Sequence, residues 1–182
     1  MAEQVAEQMA EQTAEHVAEH AAEHAAEHAA DRIVTQVEFH TGVADPVAFA
    51  CRLLRRAARQ GVRVQVAAPA KLLAQLDLGL WTHDEQDFVP HVRMPGAPAA
   101  VAGRTHIWLA TAALQDGAPR VLMNLGTSGP ADVLALERVI EIVGVDPDAV
   151  TGGRQRWRAY AALGLSPEHM PDSRASAGAP RG

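Results

Sequence analysis

Hydrophobic positions recur with two different periods through the middle of the chain. Residues 33–40, IVTQVEFH, alternate as a half-buried strand does, and Thr41-Gly42 breaks the alternation. Asp45 then offers a side-chain N-cap and Pro46 suits the first helical position. Val47, Ala50, Cys51, Leu54 and Ala58 follow at helical spacing. Arg52, Arg55, Arg56 and Arg59 fall on the other faces, and Gly61 ends the helix. VRVQVA, residues 62–67, is a second strand. Pro69 opens a second helix that carries Leu72, Leu73 and Leu76. Its end, Leu76 to Trp81, runs into the polar hexad Thr82 to Asp87, and the chain resurfaces as Phe88-Val89-Pro90-His91. THIWLA (105–110) and VLMNL (121–125) read as strands. A helix is expected from near Pro130 through Ala131, Val133 and Leu134. Val139 to Val143 is either its end or a further strand, and a last helix covers Arg154 to Leu163. Strands separated by helices predict an α/β fold: a three-layer, Rossmann-like arrangement around a mostly parallel sheet.

The ends carry neither period. Residues 1–28 are seven tetrads, from MAEQ to AAEH, with seven Glu and no Lys or Arg. A period of four drifts by about 40° per repeat against 3.6 residues per turn, so no fixed apolar stripe forms. The segment 1–30 is expected to be a low-complexity tail, helical or disordered. Residues 166–182, rich in Pro, Ser, Ala and Gly, are expected to be a disordered C-terminal tail. This leaves residues 31–165 as one α/β domain with room for a core. The net charge of −6 belongs to the repeat. Without its seven Glu, the 22 acidic residues fall to 15 against 16 basic ones, a nearly neutral body. A broadly basic face for duplex DNA is not expected; a local basic patch remains open.

Composition narrows the chemistry. The single cysteine, Cys51, excludes an intramolecular disulfide and a cysteine-based zinc site, and on an apolar helix face it reads as a small buried hydrophobe. No run of about 18 apolar residues predicts a membrane span. The N-terminus has no basic segment followed by an apolar one, so the expected compartment is the cytoplasm. His16, His20, His24 and His28 stand at chelating i, i+4 spacing, but a tetrad expansion produces that spacing for free. His40, His83, His91, His106 and His169 are scattered, and neither a metal nor a cofactor is expected. No glycine-rich dinucleotide fingerprint or Walker motif occurs. The best phosphate cradle is Gly126-Thr127-Ser128-Gly129-Pro130, after a strand and before an expected helix. A small enzyme or binder of a phosphorylated ligand at that loop is the alternative reading, and an ordinary strand-to-helix connection describes it as well.

Two segments look built for contact. Trp81 and Phe88 flank an acidic loop without a nucleophile or metal cage. In the last helix, Arg154 and Arg158 are four apart and share a face with Trp157 and Ala161. Basic side chains around an aromatic suit an acidic peptide with an apolar anchor, or a single strand whose base stacks on Trp157. A helix whose Trp157 or Tyr160 is core and whose arginines are solvated fits equally well.

Together these segments resemble the chi subunit of bacterial DNA polymerase III. Members of that family carry a leucine-tryptophan pair followed by Phe-x-Pro-His, here Leu80-Trp81 to Phe88-Val89-Pro90-His91, and end in a helix of the form Arg-x-Arg-Tyr-Lys-x-Tyr, here Arg154 to Tyr160. The resemblance covers roughly residues 32–165, including a first strand and a late apolar one at Val121 to Leu125. It implies a non-catalytic adaptor that links the clamp loader, through the psi subunit, to the acidic C-terminal tail of single-stranded DNA-binding protein, with nucleic acid met mainly indirectly. It further implies that Arg154 and Arg158 meet the tail's carboxylates, that Trp157 walls a pocket for its final phenylalanine, and that Gly164 follows the helix. Trp81 and Phe88 would face psi, and Phe88 also a helicase that competes with it. Trp157 and Arg158 replace the family's tyrosine and lysine, and Ala161 stands where a further basic residue can occur. Gly152-Gly153 is expected to shorten or fray the helix start. The tetrad repeat has no family counterpart.

Overall fold

The computed structural model describes residues 35–82, 88–114 and 117–171, all within the compact unit Thr35–Gly182. The tetrad repeat and its histidines lie outside the described residues, as do Ile33, Val34 and the acidic residues 83–87. The elements follow in the order β1 (Gln36–Val43), α1 (Pro46–Arg59), β2 (Val64–Ala67), α2 (Ala70–Thr82), β3 (His91–Arg93), α3 (Ala99–Ala102), β4 (Ile107–Ala110), β5 (Val121–Asn124), a 3-10 turn (Val133–Ala135), β6 (Arg138–Gly144), α4 (Pro147–Ala162) and β7 (Glu168–Pro171).

The seven strands form one sheet in the order β3-β4-β2-β5-β6-β1-β7, and every adjacent pair is parallel. Parallel strands need crossovers that cover the sheet, so the inner strands are buried on both faces and read as near-continuous apolar runs. On β6 the side chains of Ile140 and Ile142 enter one core with α1 and α2, which includes Cys51, Leu54, Leu73, Leu76 and Leu80. Val139 and Val143 enter the opposite core with Val37, Phe39, Leu122, Trp157 and Tyr160 of α4. The sheet therefore separates α1 and α2 from α4, the three layers expected.

Several boundaries differ from the sequence reading. No helix follows Pro130; the segment makes only a 3-10 turn, and Leu136 leaves it in extended conformation. Of the two readings open for Val139 to Val143, the strand is the one that forms, pairing with both β1 and β5. The last helix starts at Pro147, not Arg154, because Asp146 caps it by accepting from the amides of Asp148 and Ala149 at 2.9 and 3.2 Å. Thr41-Gly42 does not end β1: the strand continues to Val43 through a register shift, with Gly42 at φ 70°. Residues 168–171, placed in the tail by composition, form β7 against β1. Arg55, expected on an outer face, is buried at 9% exposure.

Candidate functional site

A cleft of about 400 Å³ opens where α4 crosses β1, β6 and β7. Phe39, Val143, Val150 and Trp157 give it an apolar lining, and Thr41, Arg154 and His169 add polar groups. Its existence depends on Gly153. A Cβ there would stand 2.9 Å from Cγ2 of Val143, so only glycine lets α4 lie this close to the sheet. The Gly152-Gly153 pair that was expected to fray the helix start sits inside the helix instead, and its conformational cost is offset by packing.

Trp157 is half-buried, its ring 4.9 Å from that of Phe39. It is thus wall rather than free stacking platform. Tyr160, one turn further, is core. Its hydroxyl donates to Oε1 of Glu141 at 2.7 Å, and Asn124 Nδ2 donates to the same oxygen at 3.0 Å. Arg156 Nε donates to Glu141 Oε2 at 2.8 Å. Glu141 is fully buried on β6, so this network neutralises a charge inside the domain and fixes the rotation of α4. Burial, together with the Glu141 carboxylate, pushes the Tyr160 hydroxyl well above the ordinary tyrosine value.

The network leaves Arg154 and Arg158 available: among the described residues no carboxylate pairs with either. Both are exposed, and only Arg154 lines the cleft; Arg158 stands one turn beyond. Gly164 lies outside the lining. At φ 80° it closes α4, donating to the Ala161 carbonyl while Leu165 donates to that of Tyr160, and Leu165 turns back against the core. The structure brings Arg154 and Trp157 together and sets Arg158 and Gly164 at the margin.

Trp81 and Phe88 form a separate surface on α2 and the segment after it. They are 59% and 51% exposed with ring centroids 4.6 Å apart, and Leu78 adds a further exposed apolar side chain. His91 packs edge-on against Trp81 at 5.6 Å and reaches Asp77 Oδ1 at 2.8 Å, which ties β3 to α2 under the aromatic pair.

The loop Gly126 to Pro130 borders a larger cleft of about 1020 Å³, but its polar groups serve the fold. Asn124 Oδ1 accepts from both the amide and the hydroxyl of Thr127, at 2.9 and 2.8 Å. Gln65 accepts from Leu114 and donates to Pro119, holding the opposite wall. The helix expected after Pro130 is absent, so no helix N-terminus is aimed at an anion here, and the phosphate-cradle reading loses its physical basis.

Sequence reasoning missed Phe39, Val143, Val150 and His169 as cleft residues. They come from four separate elements, and no local pattern announces that β1, β6, α4 and β7 meet.

The model of the family described as "DNA polymerase III chi subunit, HolC" matches residues 34–168. A curated relative, the DNA polymerase III subunit chi of Pseudomonas aeruginosa, is 31% identical over 137 residues, which span 72% of this chain and 92% of that protein. Among solved structures, the C-terminal domain of S. cerevisiae Dbp5, solved bound to Gle1 and IP6, superposes with a TM-score of 0.52 at 12% identity, covering 79% of this chain and 94% of that one; the likeness is one of fold alone. The family match runs from the first strand to the start of the last, across both surfaces, and on that ground the chain belongs to the DNA polymerase III chi-subunit family.

Proposed function

We propose that the protein is a non-catalytic accessory subunit that docks the acidic C-terminal tail of single-stranded DNA-binding protein in the α4 cleft and the psi subunit on the Trp81/Phe88 surface. The observation that carries the first half is an apolar cleft bordered by Arg154, whose guanidinium pairs with no carboxylate among the described residues. A peptide ending in phenylalanine offers matching chemistry: a ring for Phe39, Val143 and Trp157, and carboxylates for Arg154. Arg158, one turn away, would meet acidic residues further back along the tail. Exposed charge pairs contribute about 0.2–1 kcal/mol each, so binding is weak and falls with salt. Many tails on a coated strand compensate through effective concentration, and weak single contacts allow release as replication advances.

The second half rests on the exposed Trp81-Phe88 pair, since exposed aromatics backed by packed side chains are the residues that anchor protein interfaces. A helicase that used Phe88 would compete with psi.

The test is fluorescence anisotropy with a labelled acidic tail peptide across a salt series, with the terminal phenylalanine deleted as control. Arg154→Ala is expected to weaken binding by up to about fivefold, equivalent to about 1 kcal/mol, and Arg158→Ala less. Both variants should keep the wild-type unfolding curve. Binding that ignores the phenylalanine, or that survives Arg154→Ala, would move the site elsewhere.

A further inference from the structure

Thr41, Gly42 and His169 also line the α4 cleft, on its β1–β7 side. They form one unit. Val37 and Phe39 enter the core shared with α4, whereas Val43 enters the core shared with α1, so β1 changes face within the register shift between His40 and Val43. Gly42, at φ 70°, accommodates the extra residue. Within the shift Thr41 has no register partner on β6 and lies opposite Pro171 of β7. Its Oγ1 is hydrogen-bonded to Nε2 of His169. His169 is exposed and stands opposite Phe39, whose ring meets that of Trp157, one turn along α4 from Arg154.

The imidazole keeps one nitrogen for a ligand. Thr41 engages Nε2, and among the described residues Nδ1 has no hydrogen-bond partner. In the imidazolium form Nε2–H donates to Thr41 Oγ1, and Nδ1–H remains a charge-assisted donor. Among the described residues no carboxylate faces it. Glu38 and His40 of β1 point to the other side of the sheet, where Glu38 holds Arg138 and His40 packs on Phe49 of α1. Glu168 alternates to that side as well. Glu141 of β6 has both oxygens occupied by Asn124, Tyr160 and Arg156. On α4, Asp146 and Asp148 lie outside the lining, and Arg154 is its charged member.

We propose that His169 is a second anion-binding residue of this cleft: held by Thr41, its imidazolium donates from Nδ1 to a carboxylate of the docked acidic peptide, while Arg154 meets another from α4. The proposal rests on the reading of the cleft as the tail's dock and assigns it a further contact. A guanidinium from the helix and an imidazolium from the edge strand, around an apolar floor, fit a peptide end with two carboxylates close to its aromatic ring. The family match ends at residue 168, so family membership does not assign this contact. A carboxylate beside His169 stabilises the imidazolium, so binding takes up a proton and affinity rises as pH falls. An exposed pair of this kind changes affinity by about two- to fivefold.

The experiment measures anisotropy of the labelled acidic tail peptide with the full chain, at constant ionic strength, between about pH 5.5 and about pH 8. In that window histidine charge changes and the peptide's carboxylates stay ionised. The wild type should bind about two- to fivefold tighter at the acidic end. His169→Gln should match the wild type near pH 8 and lose that gain. His169→Lys, charged throughout, should bind across the window about as tightly as the wild type does at its acidic end, which a purely structural role for residue 169 would not produce. Arg154→Ala should weaken binding at both ends and keep the pH profile. A flat wild-type profile, or the wild-type profile retained in His169→Gln, overturns the proposal and leaves the dock in place. Absence of phenylalanine-dependent binding at every pH removes the dock itself, and the proposal with it.

Discussion

Glu141 and Tyr160 are joined by a 2.7 Å hydrogen bond between a strand buried on both faces and the helix that walls the cleft. The carboxylate is also bonded to Asn124 and Arg156, so β5, β6 and α4 share one charged centre. Removing the carboxylate strands three polar groups at once. Glu141→Ala is expected to cost about 3 kcal/mol, the low end of the range for breaking a buried pair because Arg156 keeps some solvent. Glu141→Gln, which keeps an acceptor and loses the charge, should cost about 1–2 kcal/mol. Urea unfolding of the two variants checks both the values and their order.

The same centre predicts a pH dependence. Burial first, then the charge and hydrogen bond of Glu141, hold the Tyr160 proton in the folded state beyond the ordinary value of 10.0. The unfolded chain releases that proton near pH 10. Folding therefore keeps the whole contribution below about pH 10 and loses it as pH rises further. Burial raises Cys51 from 9.0 in the same direction, so its contribution starts to fall about one unit lower. Urea midpoints between about pH 8 and about pH 11 should decline for the wild type. The decline should be shallower in Tyr160→Phe and should start later in Cys51→Ala. An unchanged decline in both variants would assign it to other groups.

The fold was legible where the apolar period was long or the cap chemistry local. Asp45-Pro46 marked the start of α1, and VRVQVA and THIWLA marked two of the central strands. It was illegible where tertiary pairing decides. Residues 91–93 and 168–171 are too short and polar to announce edge strands, and they exist because β4 and β1 present open edges to them. The Gly152-Gly153 pair read as a helix breaker because propensity is local, whereas Gly153 lets α4 approach Val143. Of the residues that line the α4 cleft, Arg154 and Trp157 were already placed on one helix face by spacing. Their partner Phe39 was placed in a strand with no sign of which helix would cover it.

Gly153→Ala tests that close approach. The added methyl would gain up to about 1 kcal/mol in helix propensity. It would also meet both methyl groups of Val143, at 2.9 and 3.1 Å, and overpacking costs about 1–3 kcal/mol. The sum runs from about zero to a net loss of about 2 kcal/mol, together with a displaced α4 and weaker tail-peptide binding. Adding Val143→Ala should recover part of the loss, a coupling that a double-mutant cycle in urea would read. Independent, additive effects would show that the helix relieves the contact by another route.

The aromatic pair makes the opposite prediction, a large effect on association with little on folding. Trp81 and Phe88 are more than half exposed, so Phe88→Ala removes one face of a surface stack and should change stability by no more than about 1 kcal/mol. If the pair anchors the psi subunit, the same substitution should weaken that complex by about 2 kcal/mol, roughly thirtyfold. The expected result is an unchanged unfolding midpoint, unchanged affinity for the acidic tail, and a lost or much weakened complex in calorimetry with psi. Equal loss of tail and psi binding would mean the two surfaces, α4 on one side and α2 with Phe88 on the other, act as one site. Their separation in the fold argues against that, because His91 and Asp77 anchor the aromatic pair to α2 and β3, elements that contribute nothing to the lining of the α4 cleft.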